Sequence, residues 1–298
     1  MKYRDREGRD VGVETGQDQF LKHLYGNAFG RAVIRIMIRP WVSRLGGYVL
    51  DSFISKIGIR PFVKKNNIDL SMCEKTKFRS YNDFFTRKLR EEARIPQGDE
   101  KTLISPCDGK LSVYPISDIA GRENTFRIKD TLYTTSSLLR SGKLAKQYEG
   151  GMALVFRLTV DDYHRYCYVA DGEKSQNYHI QGVFHTVNPV ANDVYPIYKE
   201  NTREYSLLKT KQFKTILMME VGALMVGRIT NYEEAGTVRK GQEKGKFEFG
   251  GSTIILLLQK DAAVLDSDLI RNTEEGYETI VKMGERIGTV KSLPFLFF

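Results

Sequence analysis

Apolar residues recur along the first third of the chain in pairs four apart: Phe20/Leu21, Leu24/Tyr25, Ala28/Phe29, Ala32/Val33 and Ile36/Met37. That spacing returns a side chain to the same face once per turn, so it predicts an amphipathic helix starting near Phe20. Pro40 ends it, because proline cannot donate the helical hydrogen bond. A second apolar-basic stretch runs from Trp41 to Lys65 through Tyr48, Leu50, Phe53, Ile54, Ile57, Ile59 and Phe62. Periodicity alone reads both as core helices covering a sheet. The polar positions open a second reading. Lys22, Arg31, Arg35 and Arg39 share the first segment, and a basic residue near an anionic bilayer contributes about 1 kcal/mol, so helices resting on a membrane also fit.

The pattern changes near Pro96. Beyond it the apolar runs shorten and are rich in β-branched and aromatic residues: Ala153 to Val160, His179 to Val187, Phe213 to Ile229 and Ser252 to Gln259. Gly, Asp and Asn punctuate them, which predicts a compact set of strands. Residues 240–245, Lys-Gly-Gln-Glu-Lys-Gly, read as a turn leading into the last run. The expected architecture is α+β. An N-terminal helical, membrane-facing region, residues 1–95, packs on a β-rich catalytic region, residues 96–298.

Charge narrows the partners. The 298 residues carry 46 Lys and Arg against 37 Asp and Glu, a net +9 that favours an anionic partner. No groove-reading helix, zinc pattern or RNA-binding aromatic signature is visible, which sets nucleic acid aside. Cys73, Cys107 and Cys167 make no metal or redox spacing, so a reduced, intracellular setting is expected. No signal-peptide core follows Met1, and no stretch approaches about 18 uninterrupted apolar residues. Any bilayer contact is therefore expected at its surface.

The candidate chemistry is spread thinly. His23 belongs to the basic helix, and His179 and His185, six residues apart on one expected strand, stand roughly 20 Å apart, too far to share a metal. No metal site is expected. His164 sits in Asp161-Asp162-Tyr163-His164-Arg165-Tyr166-Cys167, where an apolar strand ends among charges and aromatics. It reads either as a hydrogen-bonded structural residue or as an acid–base group. Asp108, in Ser105-Pro106-Cys107-Asp108-Gly109-Lys110, is an ordinary turn residue or a working carboxylate. Ser252 follows Phe249-Gly250-Gly251 and opens an apolar run. Glycine before serine lets the backbone take strained angles that bring the Ser252 hydroxyl onto the Gly251 carbonyl.

Together these blocks say more than each alone. Residues 105–110, Asp-Tyr-His-Arg-Tyr at 162–166, His-Thr-Val-Asn-Pro at 185–189, the Lys-Gly-Gln-Glu-Lys-Gly-Lys-Phe-Glu-Phe-Gly-Gly-Ser-Thr run at 240–253, and Phe-Phe-Thr-Arg-Lys-Leu at 84–89 occur in the order of the phosphatidylserine decarboxylase family, which the chain resembles. The resemblance is close over about Tyr81 to Gln259. It implies a proenzyme that cuts itself between Gly251 and Ser252. The Ser252 hydroxyl attacks the Gly251 carbonyl, the peptide bond becomes an ester, and β-elimination and hydrolysis leave a covalent pyruvoyl group on the second chain, which runs from Ser252 to Phe298. That ketone condenses with the amine of phosphatidylserine as a Schiff base and takes up the electrons released with carbon dioxide.

The same resemblance makes His164 the group that protonates the product carbon and Asp108 the acid of self-cleavage. The family's second histidine, the base for Ser252, corresponds here to Cys167. That is a departure, since a thiol with a pKa near 8.5 is a poor base at neutral pH. His185, opening a matching block, is the expected replacement, with His164 serving both steps left open. The implied partners are phosphatidylserine in an anionic membrane and the protein's own two chains after cleavage, with homo-oligomer formation open. The implied location is peripheral, on the cytoplasmic face of the cell membrane. Two other readings stay in view: a pyruvoyl-dependent decarboxylase of a free amino acid, and a non-processing membrane-binding relative. The basic, apolar N-terminal third speaks against the first, since a free amino acid needs no docking surface.

Overall fold

A computed structural model describes residues 2–12, 23–119, 121–128, 131–187, 189–192, 194–223, 228–248 and 252–291. Phe20 to Lys22, the Phe249-Gly250-Gly251 corner and the Leu293 to Phe298 tail lie outside them. Nine strands position the site: β1 Gly109–Pro115, β2 Met152–Leu158, β3 Arg165–Cys167, β4 Arg203–Lys209, β5 Thr215–Val221, β6 Ile229–Asn231, β7 Glu243–Phe247, β8 Ser252–Leu258 and β9 Glu278–Val281. The sequence of β8, Ser-Thr-Ile-Ile-Leu-Leu-Leu, lacks polar alternation because the strand has no solvent face; all its residues are buried. Burying each of its five aliphatic side chains contributes roughly 2 kcal/mol.

β8 lies between β5 and β2, and the run β4-β5-β8-β2-β1-β9 is antiparallel throughout, inside an 11-stranded sheet. A second sheet, β6-β7-β3, has three strands. The protein is thus mixed helix and sheet with a large β-rich core.

Helices dominate residues 28–94, and others, such as Ser267–Glu274, lie among the strands. α1 (Ala28–Met37) starts at Asn27, whose side chain accepts the Gly30 N–H at 2.6 Å, satisfying one of the free donors at a helix start. It stops before Pro40, as the pattern requires, and Pro40 then opens α2 (Pro40–Asp51) at a first-turn position where no N–H is needed. The stretch to Lys65 breaks into a 3-10 segment, Phe53–Gly58, and α3 (Ile59–Lys65). α4 (Tyr81–Phe85) is capped by Ser80. The apolar positions of the helical pattern divide between two environments. Ile34, Ile38 and Ile59 are buried, while Phe29, Ile36, Trp41, Leu45, Tyr48, Val49, Phe53, Ile54 and Ile57 are exposed. Ile59, Tyr81, Phe84 and Phe85 form a small core of their own.

Four sequence expectations change. The N-terminal part is not all helix, because Tyr3–Arg4 pairs in parallel with β9 and antiparallel with Asp10–Gly12. Arg6 holds this edge through Asp266, Asp268 and Glu285. His179 and His185 do not share a strand. Only Tyr178–Ile180 is extended, and Gly182 then passes so close to the Glu200 carbonyl that a Cβ there would lie 2.1 Å from its oxygen. The run from Phe213 is two strands, β5 and β6. Residues 243–245, expected in a turn, are already part of β7, which pairs with β6 and β3.

Candidate active site

Ser252 is the first residue of β8, opposite Leu158 of β2, and its neighbour Thr253 stands opposite Val221 of β5. Directly paired residues point to one face and side chains alternate along a strand, so Ser252, Ile254 and Glu220 share a face. The three-stranded sheet covers that face. Lys244 of β7 reaches across to Glu220, Nζ to Oε2 2.9 Å, and to Asn231 Oδ1 at 2.6 Å, with both charges wholly buried. Burial pushes the Glu220 carboxyl up, against the pull of Lys244. The Ser252 hydroxyl is buried and has no hydrogen-bond partner among the described residues.

His164 precedes β3 and is fully buried. Its backbone carbonyl accepts the Phe247 N–H at 2.9 Å, tying it to the end of β7, five residues before Ser252. Nδ1 lies 2.9 Å from the Asp162 carbonyl oxygen, which can only accept, so Nδ1 carries the proton and Nε2 presents a lone pair. Nε2 has no partner. The Asp162 loop is itself fixed by the buried Lys110–Asp162 pair at 2.6 Å. Phe85 of α4 packs on the imidazole with ring centroids 4.0 Å apart. Burial is the main reason the His164 pKa falls to about 4, with the Arg87 charge adding to it. At neutral pH the ring is uncharged and able to accept a proton.

His185 lies in the loop after Gly182, stacked on Tyr195 at 4.6 Å, and burial alone lowers its pKa to about 4. Nε2 is 3.6 Å from Glu200 Oε2, and Nδ1 has no partner among the described residues. Asn201 binds both the His185 carbonyl and the Gly222 carbonyl at 2.8 Å. Gly222 follows Val221, the ladder partner of Thr253. A Cβ at Gly222 would lie 3.0 Å from the Phe184 ring, so glycine is what lets the His185 loop sit against this strand.

Asp108 goes elsewhere. Arg94 grips its carboxylate with Nε and Nη2 at 2.9 and 2.6 Å, the Met283 N–H donates at 2.9 Å, and Lys282 Nζ lies 3.4 Å away. The turn that carries it meets Cys167: the Cys167 N–H donates to the Pro106 carbonyl at 2.8 Å, and Sγ lies 3.8 Å from the Ser105 carbonyl. Burial, then the charges of Glu243 and Asp108, push the Cys167 thiol up to about 12. The thiolate is therefore scarce at neutral pH. His179 is exposed beside Glu204, His23 is exposed, and no His, Cys, Asp and Glu cluster fit for a metal occurs among the described residues.

Sequence reasoning missed Arg94, Lys110, Glu220, Lys244 and Glu200. A single Glu inside the apolar β5 run was a visible signal for Glu220, since a carboxylate survives there only with a buried partner. The others are long-range pairings with no local signature.

Comparison with known proteins gives the family. The profile of a family described as phosphatidylserine decarboxylase matches residues 81–289. The chain is 43% identical over 269 residues to phosphatidylserine decarboxylase proenzyme 2 of Clostridium acetobutylicum, covering 90% of this chain and 91% of that one. It is 40% identical over 275 residues to the phosphatidylserine decarboxylase proenzyme of Clostridium perfringens, covering 91% and 92%. With the proenzyme of that name from Clostridium botulinum the identity is 36% over 297 residues, 98% of this chain and 100% of the relative.

Proposed function

The chain belongs to the phosphatidylserine decarboxylase family, and from that premise we propose how its residues carry the reaction. It is a carboxy-lyase that converts phosphatidylserine to phosphatidylethanolamine and carbon dioxide. The observation that carries the reading is Ser252, a buried hydroxyl without a partner at the head of a central strand. That residue fits the origin of a pyruvoyl group. No acceptor holds its oxygen back from the preceding carbonyl, and the covered sheet face keeps bulk water away. Once formed, the group supplies an electrophilic carbonyl that takes up the electron pair of the breaking carbon–carbon bond.

The protein's own residues then have separable tasks. For self-cleavage, a base must take the Ser252 proton. His185 is neutral at pH 7, with a free Nδ1 and an acid, Glu200, on its other nitrogen, and Asn201 ties its loop to the strand beside β8. Cys167, with its thiol held near 12, is a poor base. Asp108 serves by fixing the 105–110 turn through Arg94 and Met283 beneath Cys167. For decarboxylation, His164 Nε2, left unprotonated by the Asp162 contact, takes the proton that the substrate ammonium sheds as its amine condenses and returns it to the product carbon.

The membrane supplies the substrate. The exposed apolar residues of α1, α2 and the Phe53–Gly58 segment, flanked by exposed Arg35, Arg39, Arg60, Lys64 and Lys65, suit a surface that dips into an anionic bilayer. No helix among the described residues is long and apolar enough to cross a membrane. Residues 1–95 thus dock and residues 96–298 carry the chemistry, peripherally on the cytoplasmic face, where the free thiols Cys73, Cys107 and Cys167 stay reduced. Purified protein with phosphatidylserine vesicles tests this. Wild type should release carbon dioxide and form phosphatidylethanolamine, and Ser252→Ala should do neither. Release from free serine but not from the lipid would instead establish a soluble amino-acid decarboxylase.

A further inference from the structure

Arg87 is a buried cation without a countercharge. It is 5% exposed, its Nε and Nη1 have no hydrogen-bond partner, and none of the ion pairs among the described residues includes it. A guanidinium stays charged even where burial pushes its pKa down, as it does here. Leaving such a charge unpaired is among the costliest arrangements a fold can hold. Asp108, whose charge Arg87 feels, is already gripped by Arg94. Its other neighbours include the Phe84 ring, 5.1 Å from the guanidinium carbon, the Tyr163 phenol, and the Cys73 thiol, with which it shares a side-chain hydrogen bond; none of the three is a carboxylate.

The surroundings hold Arg87 firmly at the site. Arg165 binds the carbonyls of Thr86 and Arg87 at 2.9 to 3.1 Å, and Phe85, two residues earlier, lies on His164. The Arg87 charge is close enough to lower the His164 pKa. A dry guanidinium with free Nε and Nη1 donors next to the proton-carrying histidine, at the seam with the helices that bear the exposed apolar face, is built for an anion.

We propose that Arg87 is the receptor for the phosphodiester of the lipid headgroup and positions the serine amine for reaction; this rests on the function proposed above. The substrate's other anion, its carboxylate, is the poorer match. A cation on the leaving carboxylate stabilises the substrate more than the transition state, whose charge is moving away, whereas a cation on the phosphodiester acts equally in both. Arg87 is thus a positioning residue that acts on KM.

Isothermal titration of the uncut Ser252→Ala protein, with and without Arg87→Met, tests it using glycerophosphoserine, inorganic phosphate and free serine. Glycerophosphoserine should bind, lose about ten-fold or more on Arg87→Met, as expected for a lost charge-assisted contact, and bind more tightly than inorganic phosphate. Serine should be unaffected by the substitution. In processed enzyme, Arg87→Lys, which keeps the charge without the fork, should raise KM about ten-fold with kcat within about three-fold. Serine binding that weakens in parallel would assign Arg87 to the carboxylate. Inorganic phosphate binding as tightly as glycerophosphoserine would make this a free-phosphate site, and unchanged binding of all three would make Arg87 structural; each overturns the proposal. Failure of the functional reading looks different, because wild type would then leave phosphatidylserine unconsumed.

Discussion

Acidification should unfold this protein through its two buried histidines, and the size of the effect follows from their surroundings. His164 and His185 each have an ordinary pKa of 6.5, lowered to about 4 in the fold, chiefly by burial. The unfolded chain therefore binds protons that the folded one refuses. Stability is full above the unfolded pKa and is lost as pH falls from 6.5 toward 4. At about pH 5 linkage gives a loss of about 2 kcal/mol for each histidine, against almost none at about pH 7.5. Urea unfolding in the Ser252→Ala background keeps a single chain throughout. His164→Gln has its own fixed cost, but from about pH 7.5 to about pH 5 it should gain about 2 kcal/mol relative to its parent, because the carboxylates common to both cancel. His185→Gln should behave alike. A difference that is the same at both pH values would show that His164 is not held neutral, and with that its role as a proton acceptor at neutral pH would fall.

Two further outcomes separate the parts of the account. His164→Ala should give a processed but nearly inactive enzyme, His185→Ala should accumulate full-length precursor, and Cys167→Ala should still cleave; gel electrophoresis under denaturing conditions reads all three. An uncut, folded Cys167→Ala would return the base to the position the family uses, and an uncut His164→Ala beside a processed His185→Ala would give both steps to one histidine. Tyr48→Ser, Phe53→Ser and Ile54→Ser together should leave stability intact, since the native side chains are exposed. They should weaken binding to anionic vesicles about ten-fold or more, each buried apolar side chain contributing about 1.5 kcal/mol, and wild-type binding should fall as salt rises.

What the sequence revealed depended on how local each signal was. β2, β5 and β8 are legible because a largely apolar run of that length has few other uses. The His179 to Val187 run looked similar, yet Gly182 meets the Glu200 backbone and the extended chain ends there. The Tyr3–Arg4 strand has no apolar pattern at all; Arg6 and its acidic partners hold it. The helical periodicity was visible, but period cannot tell a face that meets a core from one left outside, and Ile34 and Ile36 went to opposite fates. In the site, Ser252 and His164 were singled out through their motifs. The electrostatics around them had no such signal, because the bond from Arg94 to Asp108 joins a short 3-10 helix to a turn and the Glu220–Lys244 pair joins two sheets. Arg87 stood within the quoted Phe-Phe-Thr-Arg-Lys-Leu block, but nothing in the letters shows that its charge lacks a partner.

The central claim is that Ser252 becomes the reactive group by cutting its own chain. Denaturing mass spectrometry of the purified wild-type protein measures this directly. The account expects two chains whose masses match a break between Gly251 and Ser252, the smaller one lacking a free N-terminal amine and reacting with a carbonyl reagent, and a Ser252→Ala protein of one uncut mass. A wild-type protein that decarboxylates phosphatidylserine while remaining a single chain of full mass would contradict it.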